Sequence, residues 1–542
     1  MIMLGRSQFY GTAGPHARVP AGCPAGRLPT KRPLLRSRRL GTLPTLDGRR
    51  IDLALAIGLI ATAVVLRLTV LAVHPFDGLY GQDAYAYYDY ARQLFGAIRG
   101  GALNGPFYWP LGYPLLVAPL FFITGISPLA GQIVSLITGA LIAPLAYLIA
   151  REVFRGDEIG GRRAGLAAGL VIATSGQLMQ SSIVVMSDAP ALFWATFSLW
   201  ALLRFTRLRR ARWLIAAVAS LALATITRWL MGILAVPWGL YLLADLRRQD
   251  RSERGRVVRA GSIGLVCAAL IVLTQLRLDL YAPHPFWQHA WVTSWDLTHA
   301  FRSTFDNADG HFDYNLPVAL FNLLPFYHPF YLFPLLAPSI ILGAWLLRRS
   351  GVMILIAGWI AVIYGFLIGI PYENFRFPLG YLMPAALLAG IGFDRLATRR
   401  AGWARGMLGL SLIGMLIFAG RGILFDSRSL LFLKQRDLAA ADWLRSHIPA
   451  GAQMITFSIT LTLQHYTDLD VVEVFDETPQ SLAARVCRGR TIYAFFDTDS
   501  IESQWRGRSP EINYRWLRDG PGLEAIDRFD RDTLFKVGNH CR

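Results

Sequence analysis

The sequence predicts a mainly α-helical, polytopic membrane helix bundle of about eleven spans plus interfacial helices, followed by a small α/β domain on the outer side. Three observations predict this fold class. Hydrophobic residues make up 54% of the 542 residues and charged residues only 17%, and the mean hydropathy is +0.39. Long apolar runs recur up to Leu424, after which the charge rises and shorter periods appear. An ordinary water-soluble chain of this length does not have such a composition.

Residues 1–50 form a basic segment with ten Arg or Lys and one acidic residue. The segment is rich in Pro and Gly and has no apolar period, which predicts a disordered cytoplasmic tail. It also lacks the central apolar stretch of a signal peptide. A start codon assigned too far upstream is the alternative explanation. Because the excess positive charge is concentrated here, it favours the anionic lipids of a cytoplasmic membrane face as partner, and we expect no nucleic-acid binding.

The second segment, residues 51–425, contains the apolar runs. A helix needs about 20 apolar residues to cross the hydrocarbon, and about 17 at the lower limit. The clear runs are 51–73, 128–150, 164–183, 257–275, 327–347, 352–370, 378–394 and 406–424. Three shorter runs, which we expect to borrow flanking residues, are 189–203, 213–226 and 230–246.

The run 111–125 is apolar but short, and its two prolines interrupt a helix. If it does not cross, one set of loops holds 21 Arg or Lys in 51 residues, whereas the longer opposite set holds 6. Since positive loops stay on the cytoplasmic side, we predict that 111–125 is interfacial or re-entrant. The N-terminus is then inside and the C-terminal domain outside.

Residues 426–542 are predicted to form the α/β domain. Segments that indicate strands are 453–459, 470–476, 490–497 and 532–537, and helical stretches such as 434–447 and 478–488 separate them. No nucleotide-binding fingerprint occurs here, so we expect acceptor docking or shielding as its role. Cys487 and Cys541 lie in this exported region, where an oxidising environment would allow a disulfide bond.

The predicted topology gathers the unusual charged residues of the short loops on the outer face. They are Asp83, Asp188, Arg228, Glu373 and Arg376, and they come from four separate turns. Charged residues at the ends of spans are costly near lipid and usually face a cavity or a partner. These five are therefore candidate functional residues.

The stretch GQDAYAYYDYAR, from Gly81 to Arg92, indicates a helix lying along the membrane interface. In a helix that starts at Ala84, Asp83, Tyr87 and Tyr90 share one face. Tyrosine favours the interface because its ring is apolar and its hydroxyl group binds water. The prolines around 106–119, with Trp109 and Tyr113, indicate either the floor of a groove or an interface anchor.

Purely structural explanations of these residues remain open at this point. Asp83 and Asp188 are each suited to cap a helix N-terminus, with the tyrosines forming an aromatic belt. Arg228 and Arg376 could extend toward the membrane surface or bind lipid phosphate, and Arg67 is expected to extend to the surface without any role in chemistry.

A metal site has little support from the sequence. The outer loop 276–326 contains His284, His289, His299 and His311, but their irregular spacing favours ordinary loop histidines. No HExxH, P-loop or His/Cys ligand motif occurs. We expect no cofactor and no required metal.

Several stretches together resemble a known family. They are Asp83, Tyr87, Ala91 and Arg92 in the first outer loop, then Tyr108–Pro114, residues 127–141, Met186–Pro190, Thr227–Arg228 and residues 373–392. Over roughly residues 51–425 the chain resembles the C-type membrane glycosyltransferases that use polyprenyl-phosphate sugars. Within them it resembles bacterial relatives of protein O-mannosyltransferases and of the aminoarabinose and galacturonic acid transferases of lipopolysaccharide. Many relatives have an Asp-Glu pair in the first loop, whereas Ala84 follows Asp83 here, which weakens the case for a two-carboxylate or metal-assisted site.

The resemblance implies inverting transfer of a sugar from a polyprenyl-phosphate donor to a lipid, polysaccharide or protein acceptor outside the bacterial cytoplasmic membrane. Asp83 is the candidate base, and Asp188 would support it or orient the acceptor. Arg228 and Arg376 are candidates for binding the donor phosphate, since guanidinium groups bind phosphate bidentately. The predicted substrate groove consists of Tyr87, Trp109, Tyr113 and Glu373.

Two other classes of function remain. A transporter or flippase of lipid-linked saccharides would have as many spans, but it predicts inverted repeats and charges at mid-membrane depth, and we find neither in the sequence. A binding or assembly protein without catalysis would tolerate Asp83→Asn. A polymerase or ligase of surface polysaccharide differs from the transferase only in its donor and acceptor.

Overall fold

The computed structural model describes residues 48–103, 107, 109–154, 156–278, 290–307, 309–421, 427–488 and 491–538. In these ranges the protein is mostly helical up to residue 447 and carries a mixed β-sheet after it. The predicted fold class is confirmed. Cys541, the basic tail up to residue 47, and His284 and His289 of the long loop lie outside the described residues.

The helical part follows the apolar runs. Its main helices are Gly48–Val73, Gly81–Ile98, Leu129–Val153, Glu158–Thr174, Gly176–Ile183, Asp188–Leu208, Ala211–Thr227, Ala235–Leu246, Arg251–Leu278, Ala337–Leu347, Val352–Leu367, Leu382–Arg399 and Ala401–Arg421. Shorter helical pieces are Gly112–Val117, Ala118–Leu120, Phe121–Thr124, Trp229–Leu234, Ala290–Thr293, Leu297–Phe301, Val318–Phe321, Leu324–Tyr327, Pro334–Leu336 and Phe377–Tyr381.

Within the described ranges, six helices are long and apolar enough to cross a membrane, and a bent pair makes a seventh candidate. Shorter apolar helices, such as Ala211–Thr227 and Val352–Leu367, coincide with further predicted spans. The protein is thus a multi-pass membrane protein, while the figure of about eleven spans stays a prediction.

The segment predicted not to cross is broken into short helical pieces between Gly112 and Thr124. At about 1.5 Å per residue these thirteen residues extend about 20 Å, short of the roughly 30 Å of hydrocarbon. Pro114 and Pro119 lie in this segment, where each removes a backbone donor. The geometry agrees with an interfacial or re-entrant segment.

The bent pair consists of helices Gly176–Ile183 and Asp188–Leu208, whose axes differ by 115°. The intervening residues are non-helical, and Val185 N donates to Gly78 O at 2.9 Å. This break places Asp188 at the first residue of the second helix.

Small residues allow the helices of the bundle to pack closely. A Cβ added at Gly343, Gly390 or Gly392 would collide with the backbone of a neighbouring helix. Such contacts are typical of membrane helices, where small residues let backbones approach. Arg67, expected at the surface, is instead fully buried, and its Nη1 donates to Ala63 O at 2.9 Å.

Part of the long loop forms a hairpin that the sequence did not predict. Strands β1 (Thr304–Asn307) and β2 (Gly310–Asp313) pair antiparallel, with Phe305 opposite Phe312. Asn307 Nδ2 donates to Pro371 O at 2.8 Å, so the hairpin contacts the loop that contains Glu373 and Arg376.

The C-terminal part is a mixed sheet with helices on both faces. Its strands are β3 (Gln453–Thr456), β4 (Asp470–Glu473), β5 (Ile492–Phe496), β6 (Leu523–Phe529) and β7 (Asp532–Val537), and its helical pieces are Ser427–His447, Thr460–Tyr466, Val474–Asp476, Pro479–Val486, Thr498–Ser503 and Ser509–Asp519. In the described residues the strand order is β4-β3-β5-β7-β6, parallel across the first three and antiparallel beyond.

Successive side chains of β3 point to opposite faces of the sheet, and each face packs against its own layer of helices. Met454 packs with Leu444 and Leu463 on one face, and Ile455 packs with Leu482 and Leu517 on the other. The four predicted strands all occur: β3, β4 and β5 are shorter than predicted, and β7 has the predicted bounds. The fifth, β6, was missed because its side chains are mostly exposed and show no alternating pattern.

Candidate active site

Four segments that are distant in sequence meet at one cluster of charged side chains. They are the tyrosine-rich helix (Gly81–Ile98), the break of the bent pair, the C-terminal end of helix Ala211–Thr227 and the loop 371–377. The cluster consists of Asp83, Arg376, Asp188 and Arg228, in that order of contact. Positive and negative groups alternate along it.

Asp83 pairs with Arg376, from which it is separated by 293 positions in the sequence. Arg376 Nη2 donates to Asp83 Oδ2 at 2.9 Å. The tyrosine-rich helix begins at Gly81 rather than Ala84, with Tyr80 as its N-cap and no capping side chain. Asp83 therefore lies in the first turn, and its carboxylate pairs with an arginine instead of capping the helix.

Asp188 lies between the two arginines and is buried. Its Oδ1 accepts a hydrogen bond from Arg228 Nη1, and its Oδ2 lies 3.9 Å from Arg376 Nη1. Ser187, not Asp188, is the N-cap of its helix, and no side chain caps it. The capping explanation is thus wrong for Asp188 as well.

The arginines are held by further contacts that fix their direction. The guanidinium of Arg228 lies 5.3 Å from the centre of the Phe377 ring, a cation–π geometry. Arg376 Nη1 lies 3.0 Å from Met186 Sδ. Burial disfavours the charge of Arg376, but the carboxylate of Asp83 outweighs this effect and raises the pKa of Arg376 above its ordinary value. Arg376 therefore stays a cation at every working pH.

The aromatic residues predicted for a groove pack together on one side of the tyrosine-rich helix. Tyr87 OH lies 3.0 Å from Ser187 Oγ, and its ring packs edge-on against Tyr113 at 5.3 Å and Phe107 at 5.8 Å. Burial raises the pKa of Tyr87 to about 12. Tyr113 is fully buried and donates to Gly131 O at 2.8 Å, and Trp109 is partly buried against the same cluster. A groove role for these residues stays a prediction.

Glu373 lies apart from the charged cluster, in the loop beside the β1–β2 hairpin. Its side chain is 9% exposed, and within the described residues Oε1 has no hydrogen-bond partner. Burial raises the pKa of Glu373 to about 8. The carboxyl group is therefore mostly protonated at neutral pH.

A cavity of about 370 Å³ opens beside the Asp83–Arg376 pair. Besides this pair, side chains with amide groups contribute much of its lining: Gln82, Gln177, Gln180 and Asn374. The sequence analysis did not single them out, because it searched the outer turns for charged groups. The signal was nevertheless present, since two glutamines three residues apart inside an apolar run share one face of a helix.

A second polar network joins the C-terminal part to the tyrosine-rich helix. Lys434 Nζ donates to Asp77 Oδ2 at 3.0 Å, Tyr85 OH at 2.9 Å and Tyr466 OH at 2.5 Å. Burial lowers the pKa of Lys434, although Asp77 opposes this effect. One turn from this network, Leu461 N donates to the side chain of Gln82, the residue before Asp83.

Metal-binding groups do not cluster in the part of the chain that the structure describes: no three His, Cys, Asp or Glu side chains converge there. His299 Nδ1 contacts Gly369 O at 2.8 Å, and His311 pairs with Asp306 at 2.9 Å. Metal dependence therefore stays a prediction. Cys487 is in a disulfide bond, and because Cys541 lies outside the described residues its predicted pairing is not tested.

Comparison with known proteins identifies the architecture. ArnT from Cupriavidus metallidurans, crystallised with undecaprenyl phosphate, is similar with a TM-score of 0.62 and 15% identity, over 88% of this chain and 98% of that chain. The chain has the C-type glycosyltransferase fold. The archaeal oligosaccharyltransferase AglB from Archaeoglobus fulgidus is similar with a TM-score of 0.55 and 14% identity, over 84% of this chain and 70% of that chain.

Sequence comparison supports the same assignment over a shorter range. The family model described as dolichyl-phosphate-mannose-protein mannosyltransferase matches residues 109–273, less than half of the chain. No curated protein sequence matches. The predicted resemblance to C-type glycosyltransferases is thus confirmed at the level of the fold.

Proposed function

We propose that this protein transfers a sugar from a polyprenyl-phosphate donor to a hydroxyl group of an acceptor on the outer face of the cytoplasmic membrane, with inversion at the anomeric carbon. The observation that carries the proposal is the alternating Asp83–Arg376–Asp188–Arg228 cluster beside a 370 Å³ cavity. The undecaprenyl phosphate bound to C. metallidurans ArnT supports a lipid phosphate as the leaving group.

The reaction needs one base and a cationic site. Asp83 takes the proton of the acceptor hydroxyl, and the acceptor oxygen attacks the anomeric carbon. The bond from that carbon to the phosphate oxygen breaks, and the polyprenyl phosphate leaves with the electron pair. An ionised phosphate needs no general acid, so a single carboxylate is sufficient.

The pairing of Asp83 with Arg376 suggests how the base is controlled. Arg376 Nη2 donates to Asp83 Oδ2, so this oxygen is occupied before the donor binds. When the donor phosphate binds Arg376, it competes with Asp83 for the same N–H groups, and this frees Asp83 Oδ2 for the acceptor. Base activation would then depend on donor binding.

Asp188 positions both arginines in this proposal. It accepts from Arg228 and lies 3.9 Å from Arg376, so its buried carboxylate holds the two guanidinium groups near one another. Arg228 then completes the phosphate site. Removing one such stabilising cation typically lowers the rate by about 10²–10³.

The acceptor is a glycan, a lipid or a protein, and the donor carries a hexose or a pentose. Mass spectrometry of envelope glycans from cells with and without the gene tests the proposal. We expect one sugar to be missing from lipid A, a polysaccharide or a glycoprotein, and to return with the wild-type gene but not with Asp83→Asn. Unchanged glycans would contradict the proposal.

A flippase is distinguished by reconstitution into liposomes. A transferase forms a new glycosidic bond and releases polyprenyl phosphate, whereas a flippase moves the intact donor between leaflets. Movement of intact donor without bond formation would favour the flippase.

A further inference from the structure

We infer that the cavity beside Asp83 receives one uncharged sugar, carrying hydroxyl groups only, rather than an amino sugar, a uronic acid or an oligosaccharide. This inference rests on the proposed function and adds to it the class of sugar on the donor. It is carried by the charge, the hydrogen-bonding groups and the size of the cavity.

The charge of the cavity wall is balanced. Among the described lining residues, Asp83 and Arg376 are the charged ones, and they pair with each other at 2.9 Å. A uronic acid would need a second cation here, because an unpaired charge in a partly buried site is costly. An ammonium group on the sugar would pair with Asp83 and occupy the oxygens that must contact the acceptor hydroxyl, so transfer would be slowed.

The remaining polar lining suits hydroxyl groups. Gln82, Gln177, Gln180 and Asn374 each carry an amide that both donates and accepts hydrogen bonds, and a hydroxyl group does the same. The Nε2 group of Gln82 is buried and has no hydrogen-bond partner in the described part of the chain, while its Oε1 accepts from Leu461 N. Buried polar groups are rarely left unsatisfied, so this donor indicates a partner that binds beside it.

The apolar part of the lining complements a sugar ring. The Phe375 side chain lines the cavity and is 45% exposed, which leaves part of its ring free to contact the C–H face of a sugar. Met186 and Val184 extend this apolar surface. A cavity lined by both amide and apolar groups is complementary to a pyranose or furanose ring. The edge of such a ring carries hydroxyl groups, and its face presents C–H groups.

The size of the cavity matches a ligand of one sugar. At 370 Å³ the cavity is near the lower end of the roughly 300–1,000 Å³ typical of small-molecule sites. Part of that volume must hold the phosphate that contacts Arg376. One sugar unit and its phosphate then fill the space, and a second sugar would extend outside it.

The test compares four undecaprenyl-phosphate donors that carry a hexose, a hexosamine with a free amine, a hexuronic acid or a disaccharide. Binding of each donor to the purified protein is measured by native mass spectrometry, and transfer is measured in parallel. We expect the hexose donor to bind at least about tenfold more tightly than the hexuronic acid donor, which corresponds to one unpaired negative charge. The hexosamine donor should be transferred at least about tenfold more slowly than the hexose donor, because its ammonium group occupies the base. The disaccharide donor should bind no more tightly than the hexose donor.

Charge variants at the half-buried Gln180 give a second measurement. Gln180→Glu should shift the binding preference toward the hexosamine donor, and Gln180→Lys toward the hexuronic acid donor. Asn374→Asp replaces Gln180→Glu if that variant does not fold. The control is Gln480→Glu on the exposed surface of helix Pro479–Val486, which should leave the preference unchanged.

The outcomes separate this inference from the proposed function. Tighter binding of the hexuronic acid or disaccharide donor, equally fast transfer from the hexosamine and hexose donors, or no shift in either Gln180 variant would overturn the inference even if transfer occurs. Binding of the hexose donor with no transfer to any acceptor would overturn the proposed function and support the sugar preference. Failure to bind any donor would overturn both.

Discussion

Arg376→Lys tests the alternating cluster most sharply, because it keeps the positive charge but removes the guanidinium group with its two Nη nitrogens. Arg376 reaches Asp83 at 2.9 Å through Nη2 and Asp188 at 3.9 Å through Nη1. A single ammonium group can contact one of these carboxylates but not both. An ion pair at about 4 Å contributes roughly 4 kcal/mol at an effective dielectric constant of about 20, before desolvation is subtracted.

We therefore expect Arg376→Lys to lower the free energy of unfolding by about 1–3 kcal/mol, since one contact is lost and the other is retained. Transfer should fall by about 10²–10³, because an ammonium cannot bind the phosphate bidentately. The assays are chemical unfolding in detergent and release of polyprenyl phosphate from a hexose donor.

The matched control is Arg445→Lys, an exposed arginine that pairs with Asp442 at 2.7 Å. It should change the stability by less than about 0.5 kcal/mol and leave transfer unchanged, because exposed pairs contribute little. If Arg376→Lys were as stable and as active as this control, the bridge between the two carboxylates would have no function and the reasoning would be refuted.

Two further predictions concern groups around the site. Lys434→Met should lower the free energy of unfolding by about 2–4 kcal/mol, because it leaves Asp77 partly buried without its cation. The control, Lys536→Met, changes an exposed residue and should alter the free energy of unfolding little. Equal free energies of unfolding for the two variants would contradict the role of this network. The pKa of Glu373 is raised to about 8, so its contribution to stability is fully present below about pH 4.5 and is lost as the pH rises to 8. The free energy of unfolding, measured from pH 5 to 9, should therefore fall less steeply with pH in Glu373→Gln than in the wild type. Parallel pH curves for the two proteins would contradict this.

The fold class followed from quantities that a sequence states directly. Apolar runs of sufficient length predict helices, and the distribution of arginine between loops assigns them to two sides. This assignment put Asp83, Asp188, Arg228 and Arg376 on one face, and the structure brings all four into contact. Which of these residues pair could not be predicted, because knowing that four loops lie on one side of the membrane does not tell which loops are neighbours.

Other features were missed for local reasons. Asp83 and Asp188 are good N-cap residues by type, yet each lies inside its helix, and only the contact with a distant arginine explains why. Arg67 was expected at the membrane surface, but backbone carbonyl groups of two helices surround it in the interior. Gln177 and Gln180 were overlooked because an uncharged amide barely alters the hydropathy of an apolar run.

The role of Asp83 as the base is tested most directly by comparing Asp83→Asn with Asp442→Asn in purified protein. Asn keeps an oxygen acceptor for Arg376 but cannot take the acceptor's proton. We predict that Asp83→Asn lowers sugar transfer by at least about 10² while undecaprenyl phosphate still binds, and that Asp442→Asn changes neither. Full transfer by Asp83→Asn would contradict the account.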